Sequence, residues 1–226
     1  MLILKVPPTL KRNNAIRSTA AMALASVVGI AVSGCSVSGT PASESSRAHH
    51  SSSTPLIRQT DDAGRQLPFR TTFPNRWSIN NDGTSYEPCT QVSESVVRQF
   101  GLDVESVSDV AGSDFQTARG CQWTFANNRL SFLSQSVGNM LSPDGGLSAH
   151  KEEYSPGVTW LPDIEIVGRH VLLGSMAASD CGAYVTSGTA VVVTSIVRIE
   201  SNPPRTEDIC ATAADFLRAT MKEIPK

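Results

Sequence analysis

Ala190-Val191-Val192-Val193-Thr194-Ser195-Ile196-Val197-Arg198-Ile199 is the stretch that decides the fold. Its β-branched residues suit a pleated backbone, and a period of two puts Val191, Val193, Val197 and Ile199 on one face. Val192, Thr194, Ile196 and Arg198 take the other face and turn polar toward the end, the pattern of a sheet covered on one side. Just upstream, Ser187-Gly188 is turn chemistry, so residues 182–186 are expected to pair with this strand. A second hairpin is expected for 163–167 and 170–174 around Gly168-Arg169. A third is expected for 121–125 and 130–137 around Asn127-Asn128.

Helical patterns bracket these strands. In 92–100, Val92, Val96, Val97 and Phe100 share a face and Gly101 suits the position just past a helix end. In 206–222, Thr206 is a good cap, Glu207 and Asp208 favour the positive end of the helix dipole, and Ile209, Ala213, Phe216 and Leu217 share a face. Strands between two helices predict an α+β fold. The expected form is a mainly antiparallel twisted sheet of five or six strands. The N- and C-terminal helices should pack on one face and the other should stay partly open. The stretch 139–160, with Pro143, Gly145, Gly146, Pro156 and Gly157, is expected to be a mobile surface loop with a short helical turn near 148–154. Tyr154 and Trp160 in this loop are the candidate binding residues, since aromatic side chains on a loop fit recognition.

Upstream of the domain the chain changes character. Basic Lys5, Lys11, Arg12 and Arg17 precede an apolar run over 18–32 and then small residues, the order of an export signal. The run of 15 residues falls short of the roughly 20 that a membrane-spanning helix needs. Val32-Ser33-Gly34-Cys35 at its end resembles the bacterial lipobox. That resemblance implies a signal peptide over 1–34, and acyl chains of the palmitate kind on Cys35 that anchor the protein to the extracytoplasmic face of the cell membrane. Each buried methylene contributes about 0.8 kcal/mol, so several chains on one cysteine would hold firmly.

Residues 35–84 are expected to form a lipid-anchored flexible tether and an extended arm. From 36 to 60 the chain is mostly Ser, Thr, Pro, Gly and Ala with little to build a core, and His49 and His50 there are expected to be solvated. In the arm, Leu67, Phe69, Phe73 and Trp77 are interleaved with Arg65, Arg70 and Arg76. The expectation is that the aromatics dock on the protein's own domain and leave the arginines in water. Asn80-Asn81-Asp82-Gly83 is a turn signal, which places the compact α+β domain at 85–226.

Beyond Cys35 the chain holds Cys89, Cys121, Cys181 and Cys210, an even count that in an exported protein reads as two disulfides. Four cysteines allow three connectivities. Contact between sequence neighbours favours Cys89 with Cys121 and Cys181 with Cys210. Each loop would be worth roughly 3.5 kcal/mol in the chain-entropy model.

Composition and motifs narrow the function classes. Removing residues 1–34 takes four of the 19 basic residues and none of the 21 acidic ones, leaving 15 against 21. That mildly acidic balance argues against nucleic acid as a partner. Phosphate-loop motifs and Cys-x-x-Cys pairs are missing, and neither a cofactor nor a metal is expected. In the domain only His150 and His170 are candidate bases; His150 beside Lys151, Glu152 and Glu153 reads as part of a solvated charged face, and no catalytic residues are assigned. The expected function is a non-catalytic module binding an envelope ligand or protein. The alternative is an envelope glycan- or lipid-directed hydrolase, which would need carboxylates, or a nucleophile and base, converging in one cleft.

Pro88-Cys89 opening a helix, Gly120-Cys121-Gln122-Trp123 opening a strand, and then Cys181 and Cys210 form a recognisable series. From about Tyr86 to the C-terminus it resembles the actinobacterial, mycobacterial-type cell-envelope lipoproteins of the LprB and LprC kind. These share a lipobox, a Ser/Pro-rich tether, this cysteine framework and a domain of unknown function. The resemblance implies an envelope location and carries over no catalytic residues.

Overall fold

The computed structural model describes residues 57–226. The expected signal segment over 1–34, Cys35, His49 and His50 lie outside the described residues. The helices are α1 (Pro88–Gln91), α2 (Glu94–Gln99), α3 (Gly146–Tyr154) and α4 (Thr206–Thr220). The strands are β1 (Ser108–Asp109), β2 (Ala118–Phe125), β3 (Asn128–Asn139), β4 (Thr159–Trp160), β5 (Ile164–Ile166), β6 (Arg169–Ser175), β7 (Asp180–Ser187) and β8 (Ala190–Val197). All pairings are antiparallel, in the order β1-β2-β3-β8-β7-β6-β4, with β5 also on β6. The fold is α+β as expected, but the sheet has eight strands rather than five or six. The two additions, β1 and β4, are two residues long, too short to show any periodicity.

The β8 faces are the reverse of the expectation. Val192, Thr194 and Ile196 face the principal core, under α4, whereas Val191 and Val193 face the opposite side. The polar Thr194 is tolerated inside because its hydroxyl accepts a hydrogen bond from Gln135 Nε2 at 2.9 Å. Gln135 Oε1 accepts from the Tyr86 hydroxyl at 2.6 Å, and its Nε2 also donates to Thr220 Oγ1 at 2.9 Å. Four buried polar side chains thus satisfy one another across β3, β8, α4 and the segment before α1, which removes the desolvation penalty that one alone would carry.

Ile209, Ala213, Phe216 and Leu217 of α4 are buried as the periodicity predicts. Phe216 meets Phe100 edge-on at 5.1 Å, so α2 and α4 cover the same sheet face. Two helix starts differ from expectation. Ser93 caps α2 by accepting from the Val96 amide, which separates α2 from the short α1 in place of a single helix over 92–100. Arg205, not Thr206, is the N-cap of α4, and the Thr206 hydroxyl donates to the Ala178 carbonyl instead.

The disulfides join Cys89 to Cys121 and Cys181 to Cys210. One ties α1 to β2 and the other ties β7 to α4. The arm is packed with the domain: Leu67 is in the principal core, and Asp61 is buried and accepts from the Thr90 hydroxyl at 2.5 Å. The boundary expected at Ser85 therefore falls within a packed unit. Arg65 and Arg70 are exposed as expected, but Arg76 is completely buried. No helix among the described residues is long and apolar enough to cross a membrane.

Candidate functional site

The sheet face opposite α4 is partly covered by α3, with β4 at the sheet edge, and there the two candidate binding residues join one aromatic cluster through His150 and Tyr184. The cause lies in the sheet beneath them. Gly174 of β6 and Gly182 of β7 are paired directly across the two strands. A Cβ built on Gly174 would stand 2.8 Å from the Trp160 ring, and one built on Gly182 would stand 2.8 Å from the Tyr184 hydroxyl and 2.9 Å from its ring. Two missing side chains thus let two aromatic rings lie down on the sheet. Trp160 and Tyr184 pack edge to face at 5.4 Å, and His150 joins them at 5.6 Å from Tyr184 and 4.5 Å from Tyr154. Met140, Leu147, Leu172 and Val191 form the apolar base of this cluster.

Exposure falls off inward: Tyr154 is 47% exposed, Trp160 and Tyr184 are partly buried, and His150 is 6% exposed. His150 is thus not on a solvated charged face; it faces into the sheet, while its helix neighbours Glu152 and Glu153 stay in water. Burial lowers its pKa, with Glu153 opposing in part, and burial likewise raises that of Tyr184. Within the stretch 139–160, expected to be a loop with a short helical turn near 148–154, the turn is a full helix, Gly146–Tyr154, whose buried positions are Leu147 and His150.

A polar strip borders the rings. Lys151 Nζ lies 5.8 Å from the Trp160 ring and bonds Asp163 at 2.7 Å, and Asp163 meets His170 Nε2 at 3.0 Å. The bond from Lys151 holds the Asp163 carboxyl below the usual range against the opposing effect of burial, with His170 adding to the lowering. Trp160 Nε1 donates to Ser155 Oγ at 3.2 Å, fixing the ring beside the C-terminus of α3. Tyr184, Lys151 and Asp163 were not singled out from the sequence. Tyr184 reads there as one position of an ordinary strand; its ring lies back over Gly182, two residues earlier on the same strand.

A second feature, invisible in the sequence, is a buried charge cluster behind the Cys89–Cys121 bridge. Arg76 Nη1 and Nη2 grip the Glu87 carboxylate at 2.8 and 3.2 Å while its Nε bonds Asp109 at 2.8 Å. Arg119 Nη1 reaches the same Glu87 at 3.0 Å and donates to the Tyr86 carbonyl at 2.6 Å; Nη2 donates to Thr84 and Nε to Asn81. Burial opposes the charge of Arg76, but its bonds to Glu87 and Asp109 raise its pKa overall; burial lowers that of Arg119 and raises that of Asp109. Two cations face two anions with their donors matched, which is the chemistry of a clamp rather than of a reacting centre. A cleft of about 330 Å³ nearby is lined by Pro68, Cys89, Val97, Val104 and Trp123, with the exposed Glu94 and Glu105 beside it. Among the described residues, no group of three or more His, Cys, Asp or Glu is placed to hold a metal.

Fold and site define a disulfide-braced antiparallel α+β domain with an aromatic surface cluster. The chain belongs to the DUF3558 family, described as "Protein of unknown function (DUF3558)", whose model matches residues 30–223. No curated protein and no solved structure matches the chain.

Proposed function

We propose that this DUF3558 member is a lipid-anchored, extracytoplasmic envelope protein whose domain binds a ligand or partner through the α3–β4 face. The resemblance of Val32-Ser33-Gly34-Cys35 to a lipobox, and of the cysteine framework to LprB- and LprC-type actinobacterial lipoproteins, supports the envelope setting. The observation that carries the binding reading is a series of four aromatic rings: Trp160 and Tyr184 lie over Gly174 and Gly182, His150 packs on Tyr184, and Tyr154 packs on His150 at the solvent side. A sheet that needed only a covered core would be served by aliphatic side chains; glycines that let rings lie flat beside Lys151 and Asp163 suit recognition better.

Two measurements test it. Replacing Cys35 with Ala should move the protein from the membrane fraction to the soluble exported fraction, and continued membrane attachment would sink the anchor. Mass spectrometry of material that co-purifies with the native protein should find a stoichiometric component that Tyr154→Ala loses. Equal recovery with the variant would move the binding surface elsewhere.

A further inference from the structure

We infer that the α3–β4 face is a saccharide-binding site, with Trp160 and Tyr154 as stacking platforms and Asp163 and Lys151 as hydroxyl partners. This rests on the reading of that face as the binding surface and names its ligand class. A pyranose ring has an apolar face of C–H groups and a rim of hydroxyls, each both donor and acceptor. It is recognised by flat aromatic surface beside fixed polar groups.

Both parts are present. Trp160 lies over Gly174, packs at a steep angle against Tyr184 at 5.4 Å, has Lys151 Nζ over its ring at 5.8 Å and donates its indole N–H to Ser155 at 3.2 Å. Tyr154, 47% exposed, presents the second ring, backed by His150 at 4.5 Å. At the border, Lys151 and Asp163 bond each other at 2.7 Å and Asp163 meets His170 at 3.0 Å. The strip therefore offers both a donor and an acceptor that stay ordered without ligand.

Charge selects among ligand classes. Lys151 and Asp163 compensate each other, so the strip has little net pull on an anion or a cation. A neutral ligand with many hydroxyls matches that balance, whereas a phosphate or carboxylate ligand would meet the Asp163 carboxylate directly beside Lys151. Stacking supplies most of the affinity and the Lys151–Asp163 pair supplies orientation.

The test is calorimetric and NMR titration of the full-length protein in detergent with linear gluco-, manno- and galacto-hexasaccharides. At least one should bind, and Tyr154→Ala and Trp160→Ala should each weaken it about tenfold, the loss of one stacking contact. Asp163→Asn should weaken it several-fold while leaving the thermal midpoint within the scatter of wild type. Because Trp160→Ala could disturb the sheet, the exposed Tyr154 variant is decisive on its own. Absence of binding by all three oligosaccharides, or binding that Tyr154→Ala leaves unchanged, overturns the inference. If the oligosaccharides fail while Tyr154→Ala still loses the co-purifying component, only the ligand class falls; if Tyr154→Ala loses nothing, the face falls with it.

Discussion

Val167 has φ 52° and Gly168 φ 69°, consecutive left-handed residues at the tip of the β5–β6 hairpin. This is the mirror-image two-residue turn that matches strand twist, and it favours Asn-Gly over a β-branched residue. Val167 is 74% exposed, so it gains almost nothing from packing while its Cβ crowds the backbone. Val167→Asn should stabilise by about 1 kcal/mol, read as a higher urea midpoint at unchanged slope. Arg76 makes the opposite case. Arg76→Met would leave Asp109 and part of Glu87 uncompensated in the interior and should cost about 3–5 kcal/mol in the same measurement. Arg76→Lys should recover little, because an ammonium cannot grip Glu87 at two points while bonding Asp109. Neither residue announces itself in the sequence. Arg76 sits among exposed-looking basic and aromatic neighbours, and its partners Glu87 and Asp109, with the Arg119 that shares Glu87, come from three other segments.

Elements were legible where one period ran long enough to be read. The faces of α4 and the presence of the three hairpins could be found from side-chain spacing, but each turn lies one residue from the expected pair, at Ala126-Asn127, Val167-Gly168 and Gly188-Thr189, and β1 and β4 hold two residues each and exist only through their neighbours. The β8 faces were misassigned because Thr194 looks like a surface residue until Gln135 is placed opposite it. In α3 the helical turn near 148–154 could be read, but glycines and prolines at its flanks and charges at 151–153 concealed its full span and its buried face of Leu147 and His150. The loop aromatics Tyr154 and Trp160 could be singled out; the ring cluster could not, since it depends on cross-strand pairing of glycines. His150 makes α3 sensitive to pH. Its imidazole is held below the ordinary 6.5 by burial against Tyr154 and Tyr184, so below that pH the unfolded chain takes the proton more readily. Stability is therefore full above about 6.5 and falls as pH drops, by at most about 1.4 kcal/mol per unit for one group. The negative charge of Glu153, which favours the protonated imidazole, softens this loss. Urea unfolding at pH 7.5 and 5.5 should show a drop in wild type that His150→Phe reduces, and an equal drop in both would remove His150 as its source.

At the scale of the whole molecule the arm is part of what holds the sheet together. The turn signal at 80–83 marks a local reversal of the chain, but composition alone does not reveal that the chain before it crosses back over α1 and β2. Leu67 adds to the core, Arg58 stacks on Trp77 at 4.3 Å, and Arg76 enters the charge cluster from this side. Without the arm, Glu87 keeps Arg119 but Asp109 loses its guanidinium partner, and the apolar surface beside the Cys89–Cys121 bridge opens to water. That bridge cannot substitute for the arm. It closes a loop of 32 residues, worth roughly 3.5 kcal/mol through the unfolded chain, which is comparable to the loss of the Arg76 contacts alone. A chain begun at Ser85 should therefore keep both disulfides yet unfold with a shallow, early urea transition, whereas one begun at Ile57 should unfold in a single steep step. A steep transition at the same midpoint for both would show that the arm contributes no stability, and would return the start of the cooperative unit to residue 85.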